Sequence, residues 1–164
     1  MQNMSSKTPT IRQIAWISII PQLAFMGLVI LIWHFVYPEN AVIHGAATYL
    51  IISYSLRSFI AKDHKNGMRN VKSGKFSEAI PDFEKSYNFF KQNNWIDKYR
   101  FLTLLSSSRM SYKEMALNNI AFSYGQSGNG EKSKEYYERT LVEFPESEIA
   151  KSALRLLNSM KNNN

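Results

Sequence analysis

Apolar residues are spread unevenly along the chain, and the pattern changes once. Residues 13–60 carry almost no charge, whereas residues 61–164 are charged throughout. Long apolar stretches are typical of segments solvated by lipid, and helical spacing of apolar and charged residues is typical of water-solvated domains. We therefore predict a tail at 1–12, a membrane anchor at 13–60 and an all-helical domain at 61–164.

Two apolar runs make up the predicted anchor. The first extends from Ile14 to Tyr37 and has the length that a helix needs to cross the hydrocarbon core, about 20 residues. The second extends from Ala41 to Ile60 and is less apolar. Only the turn signal Pro38-Glu39-Asn40 separates the runs, so we expect an antiparallel transmembrane hairpin.

Two other interpretations of these runs stay open. The first run could be a cleaved signal peptide, although it is long for one and a second apolar run follows at once. The second run could be a buried helix of the soluble domain, because it contains Arg57. In an anchor, we expect Arg57 to extend toward the headgroups and Pro21 to kink the first helix. No proline lies between Ala41 and Gly74, so the second membrane helix is expected to continue into the domain.

The distribution of basic residues predicts the orientation. Lys7 and Arg12 precede the first run, further basic residues end or follow the second, and the turn between the runs has none. By the positive-inside rule, both termini and the helical domain are cytoplasmic, on an integral protein of the plasma (inner) membrane. Four basic residues between positions 62 and 72 are spaced 3, 4 and 3 apart, so they form a stripe along one side of a helix. This stripe could contact anionic lipid, or it could be a charged face in water. With the basic residue that ends the second run, this stripe consists of Arg57, Lys62, Lys65, Arg69 and Lys72.

Composition narrows the possible chemistry. The net charge of +7 favours anionic lipid or an acidic partner, and no nucleic-acid motif is present. The chain has no cysteine, which excludes disulfides, thiolate zinc sites and a cysteine nucleophile. His34 and His44 flank Glu39 and could ligate zinc, but we favour the interpretation that they are interfacial histidines. No catalytic motif appears, so we predict no enzyme activity and no cofactor.

Two segments of the helical domain share a helix–turn–helix pattern. The first begins at His64, and the second extends from Leu117 to Pro145. They resemble the tetratricopeptide repeat, a unit of about 34 residues in which large and small apolar positions interlock two antiparallel helices. Gly130, Ser133 and Asn70 depart from the family pattern, and a generic bundle of helical hairpins is the alternative. The matching positions are Gly67, Gly74, Phe76, Ala79 and Phe83 in the first segment, and Leu117, Ile120, Ala121, Tyr124, Gly128, Tyr137 and Pro145 in the second.

The turn glycines Gly74 and Gly128 are 54 residues apart, about 20 more than one repeat requires. We predict that the stretch from Trp95 to Ser108 is an added or extended helix, capped by Asn94, with Trp95, Tyr99 and Leu102 on one face. Ser111 is expected to cap the next helix. After Pro145, Ser147 is expected to cap a final helix that covers the open end of the repeats, with Ile149, Ala153, Leu156 and Met160 on one face.

The resemblance implies a groove lined by the first helices of the repeats, which would bind another protein or peptide. The lysines in this groove favour an acidic ligand. We therefore hypothesise a membrane-anchored docking or assembly factor, with a permanent structural subunit of a membrane complex or homo-oligomer as the alternative. A membrane-bound hydrolase using His34 or His44 is the third hypothesis. The predicted groove residues are Lys65, Met68, Lys72, Asn118, Asn119, Phe122 and Gln126.

Overall fold

A computed structural model describes residues 15–162, except for the side chains of residues 160–162. The described residues form α-helices and two short 3-10 helices, Trp16–Ser18 and Pro38–Asn40, with no β-strand among them. The predicted all-α class is confirmed, and the predicted tail at 1–12 lies outside the described residues. In chain order the helices are α1 (Ile19–Val36), α2 (Ala41–Ile60), α3 (Lys62–Lys72), α4 (Phe76–Gln92), α5 (Asn94–Lys98), α6 (Arg100–Thr103), α7 (Tyr112–Gln126), α8 (Gly130–Glu143) and α9 (Glu148–Asn162).

Within the described residues, one helical stretch is long and apolar enough to cross a membrane. It extends from Trp16 to Val36 and comprises α1 with the 3-10 turn before it. α2 does not meet the same criterion, because polar side chains interrupt its apolar surface. Pro21 is the third residue of α1, where its missing N–H costs no bond of the helix interior. The physical reason for the predicted kink is therefore absent.

α1 and α2 pack closely against each other. The indole Nε1 of Trp33 donates to Thr48 Oγ1 at 3.0 Å. A Cβ atom on Gly45 would lie 2.5 Å from Cγ1 and 2.7 Å from Cα of Ile30, so the backbones approach at a point where only glycine fits. The buried residues of α2 are Ala41, Gly45 and Ser53, all of them small.

α2 and α3 are separated by one residue, so the predicted continuous helix is interrupted. Ala61 has φ −98° and ψ 31°, which lies outside the α-helical region. The hydrogen bonds around it persist, because Ala61 N donates to Arg57 O at 3.2 Å and Lys65 N donates to Ala61 O at 3.0 Å. The break is one residue long, so no linker separates the two helices.

The domain is a succession of packed helices in which α3 contacts α4, α4 contacts α7, α7 contacts α8 and α8 contacts α9. A Cβ atom on Gly67 of α3 would lie 2.7–2.9 Å from three ring atoms of Phe83, so this ring fills the space that glycine leaves. Ala121, Tyr137 and Ala150 form a corresponding cluster that joins α7, α8 and α9. Gly74 and Gly128, in the turns, have φ of 73° and 84°, in the left-handed region that favours glycine.

Several details of the predicted helices need correction. α4 begins at Phe76 and contains Pro81 in its interior, where a proline lacks the N–H of a helical hydrogen bond. The expected insert helix is two short helices, α5 and α6, and Asn93, not Asn94, is at the N-cap position, with no side-chain cap bond. On α9, Leu156 is exposed, whereas Ile149 and Ala153 pack inward with Leu154 and Leu157. The Met160 side chain lies outside the described part.

Candidate functional site

Part of the predicted groove is assembled where α3 and α7 approach each other. Asn119 Nδ2 lies 3.5 Å from Met68 Sδ, a contact that joins the two helices. Phe122, one turn further along α7, is exposed, and its ring meets Phe76 edge-on at 5.9 Å between centroids. Lys72 and Gln126 are exposed. We refer to these residues of the two helices together as the α3–α7 face (Met68, Lys72, Asn119, Phe122 and Gln126).

Asn118 does not belong to the α3–α7 face, and its assignment to the groove is wrong. It is buried, and its Nδ2 donates to Glu114 O at 3.1 Å and to Ser147 Oγ at 3.3 Å. Consecutive helical residues point about 100° apart, so Asn118 and Asn119 cannot face the same surface. Asn118 instead links α7 to the residue that precedes α9.

Lys65 points away from the α3–α7 face, toward α2. Its Nζ lies 3.1 Å from Ser58 Oγ and 4.9 Å from the centre of the Tyr54 ring. The remaining basic residues of the predicted stripe on α3, Lys62, Arg69 and Lys72, are exposed. Lys65 therefore lies at the corner between α2 and α3.

This corner contains a cavity of about 400 Å³ between α2, α3 and α7. We call it the corner cavity. Its polar lining is Ser53, Arg57, Ser58, His64, Lys65 and Tyr112, and its less polar wall includes Tyr49, Leu50 and Tyr54 of α2.

Arg57 ties the end of α2 to the loop that follows α6. Its Nε donates to Leu104 O at 3.1 Å, and its Nη2 donates to Leu105 O at 2.5 Å and to Ser53 Oγ at 2.8 Å. Leu104 and Leu105 are both buried, and Leu105 has φ 46°, which a leucine rarely adopts. The expectation that Arg57 simply extends to the headgroups is therefore incomplete, because its guanidinium holds two buried carbonyls.

His64 is buried at the meeting point of α3, α4 and α7. Its ring meets the rings of Phe83 and Tyr112 edge-on, with centroids 5.4 Å and 5.3 Å away. Ser86 Oγ lies 3.5 Å from its Nδ1. Burial lowers the pKa of His64 to about 4, so the imidazole is neutral at pH 7. Burial also raises the pKa of the Tyr112 hydroxyl.

The insert packs beside α1 and supports the start of α7. Its buried Asp97 carboxylate accepts from Tyr112 N at 2.8 Å and Lys113 N at 3.0 Å, while Ser111 Oγ accepts from Glu114 N at 3.1 Å, which confirms Ser111 as the N-cap. α6 contacts α1, and Ala15 N donates to Ser107 O at 2.9 Å. Trp95, Tyr99 and Leu102 are exposed and form what we call the insert patch.

The two histidines near the interhelix turn lie in different surroundings. His44 Nδ1 is 2.9 Å from Asn40 O, and its ring lies 4.8 Å from that of Trp33, whereas His34 is exposed. No group of three or more His, Asp or Glu side chains within residues 15–162 is arranged to hold a metal ion. The expectation that the chain is not an enzyme and takes no cofactor stays a prediction.

No family model matches the chain, and no curated protein or solved structure matches it. The resemblance to tetratricopeptide repeats therefore stays a prediction, and any function must be argued from the contacts described above.

Proposed function

We propose that this chain is a membrane-anchored docking protein. A transmembrane hairpin formed by α1 and α2 holds a tetratricopeptide-like domain at the cytoplasmic surface. The α3–α7 face of that domain binds an acidic protein or peptide. The observation that carries the proposal is the exposed ring of Phe122 on α7, one turn from Asn119, whose side chain contacts Met68 of α3.

Exposure along α1 and α2 supports the membrane hairpin. Large apolar side chains point outward from both helices, including Leu31 and Ile32 of α1 and Ile43 and Leu50 of α2, each of them more than half exposed. An apolar surface of this extent is unfavourable in water and suits lipid. A buried helix of a soluble domain, the alternative for α2, would have its large apolar residues inside.

Two of the polar residues that lower the hydropathy of α2 are bonded within the protein. Thr48 Oγ1 accepts from Trp33 of α1, and Ser53 Oγ accepts from Arg57. Polar groups in lipid are tolerated when a neighbouring helix or side chain satisfies them. α2 can therefore cross the bilayer beside α1, although its composition alone does not make it apolar enough to be identified as a membrane span.

The succession of helices supports a repeat arrangement. In both halves a small residue of a first helix packs against an aromatic residue of a second helix, as Gly67 does with Phe83 and Ala121 with Tyr137. Residues 68 and 72 of α3 and residues 122 and 126 of α7 have the same spacing of four. Equal spacing on successive first helices is what a continuous binding face requires.

Affinity purification from native membranes tests the docking function. The tagged protein would be compared in mild detergent with a Lys72→Glu/Phe122→Ser variant and with a matched Lys85→Glu control, which reverses a charge on an exposed part of α4. We expect a partner that the wild type and the control retain and the double variant loses. Circular dichroism would establish that the double variant is folded. A partner retained equally by all three proteins contradicts the proposed face.

The insert patch favours a second candidate function, that of a permanent subunit in a membrane complex. Trp95 and Leu102 are 61% and 51% exposed on a segment that packs beside α1, an unusual position for large apolar residues in a free monomer. If this candidate is correct, Trp95→Ser/Leu102→Ser removes the associated protein in the same purification, and Lys72→Glu/Phe122→Ser does not.

A further inference from the structure

We propose that the corner cavity binds the phosphate headgroup of an anionic phospholipid. This inference rests on the membrane anchor of the proposed function and does not depend on the docking face. It concerns a specific lipid site between α2, α3 and α7, which differs from attraction between a basic helix and a charged membrane surface.

The charges around the cavity are unbalanced. Arg57 and Lys65 both line it, and none of its lining residues is Asp or Glu. Within the described part of the chain, neither residue takes part in an ion pair with a carboxylate. Two cations that share a cavity without a counter-ion favour an anionic ligand.

Arg57 is held in place and keeps donors available. Its Nε and Nη2 are occupied by Leu104 O, Leu105 O and Ser53 Oγ, which fixes the plane of the guanidinium. Its Nη1 makes no hydrogen bond to the described residues, and a guanidinium has five N–H donors in all. Because the side chain is already ordered, binding an anion costs little additional conformational entropy.

Further groups at the cavity suit a phosphate with an attached glycerol. Ser58 and Tyr112 contribute hydroxyl groups, and Lys65 Nζ lies beside the Ser58 hydroxyl at 3.1 Å. His64 also lines the cavity, and because burial keeps it neutral it can accept or donate a hydrogen bond without adding charge. Phosphate oxygens accept from all of these donor types.

The part of the cavity wall that α2 forms before Arg57 suits a hydrocarbon chain. Leu50 and Tyr54 line the cavity and are more than 60% exposed on the outer surface of α2. Arg57 lies one turn before the end of α2 at Ile60, the depth at which a spanning helix meets the headgroups. A ligand with a phosphate at Arg57 and an acyl chain along Leu50 is a phospholipid, and a free phosphate would leave this wall unused.

Native mass spectrometry of the full chain in detergent tests the site. Adducts would be titrated with dioleoyl phosphatidylglycerol and dioleoyl phosphatidylcholine, and with glycerol 3-phosphate as a soluble competitor. Wild type would be compared with Lys65→Gln, which removes a cation from the cavity, and Lys62→Gln, which removes one from the same helix outside it. We expect phosphatidylglycerol to bind more tightly than phosphatidylcholine and Lys65→Gln to weaken it about fivefold. Lys62→Gln should have less than half of that effect.

Equal binding of the two lipids, or equal losses in Lys65→Gln and Lys62→Gln, would overturn the proposal. Displacement of the lipid by glycerol 3-phosphate would also overturn it, in favour of a site for soluble phosphate. The docking test changes Lys72 and Phe122 and leaves Lys65 intact, so failure of the docking face and failure of the lipid site are separate results.

Discussion

Replacing Arg57 by methionine is the most informative single change where α2 meets the loop that follows α6. Methionine has a similar length but no hydrogen-bond donor, so the change removes the bonds to Leu104 O, Leu105 O and Ser53 Oγ. The two leucines are 0% and 2% exposed, so their carbonyl groups have little access to water. The change therefore leaves two buried acceptors without their present donor.

The expected cost follows from these acceptors. A buried polar group that loses its partner costs about 1–3 kcal/mol, so two carbonyls give about 2–6 kcal/mol. Arg57 itself is exposed, and water entering from the corner cavity can replace some of the lost bonds. We therefore expect the free energy of unfolding to fall by about 2 kcal/mol, near the lower end of that range.

Denaturant unfolding in mild detergent, followed by circular dichroism, would measure this loss. Limited trypsin digestion gives a local readout, because the exposed Arg109 lies in the loop that Arg57 holds and should be cleaved faster in the variant. Arg69→Met is the matched control, since Arg69 is exposed on α3, and we expect a change below about 0.5 kcal/mol. Equal stability and equal cleavage in Arg57→Met and wild type would refute the reasoning.

Three further changes test other contacts. His64 has a pKa of about 4 in the folded chain and about 6.5 in the unfolded chain, so the unfolded chain binds more protons between these pH values. The free energy of unfolding should therefore fall by about 2 kcal/mol from pH 7 to pH 5, as measured by denaturant titrations at each pH. The fall should be smaller in His64→Phe. Gly67→Ala should destabilise by about 1 kcal/mol in thermal unfolding, because overpacking against Phe83 exceeds the gain in helix propensity, whereas Gly130→Ala has open space and should not destabilise. Pro81→Ala should increase the free energy of unfolding by at most about 3 kcal/mol, because Pro81 interrupts the hydrogen bonds of α4. The unfolding temperature should rise accordingly.

The features that the sequence predicted well depend on local chemistry. Gly74 and Gly128 mark turns because few other residues adopt positive φ, and Ser111 marks a helix start because its hydroxyl bonds a nearby amide. The apolar run of α1 is likewise a property of its own composition. Each of these signals lies within one continuous segment of the sequence.

The features that sequence reasoning missed depend on which side of a helix packs against the rest of the protein. His64 has the helical spacing of Gly67 and Val71, which packs inward, but a histidine among lysines gives no sign of burial. The partners of Arg57 lie 47 and 48 residues further along the chain, and Asp97 caps a helix that begins 15 residues later. Such contacts arise from tertiary packing, which hydrophobic spacing alone does not specify.

Topology mapping with single cysteines tests the central claim most directly, because the natural chain has none to interfere. Glu39→Cys would place a thiol in the exposed turn between α1 and α2, and Val142→Cys would place one on the exposed surface of α8. A membrane-impermeant maleimide applied to intact cells should label Glu39→Cys at once and Val142→Cys only after lysis. Labelling of both from outside, or of neither before lysis, would contradict a hairpin that crosses the membrane twice and holds the domain in the cytoplasm.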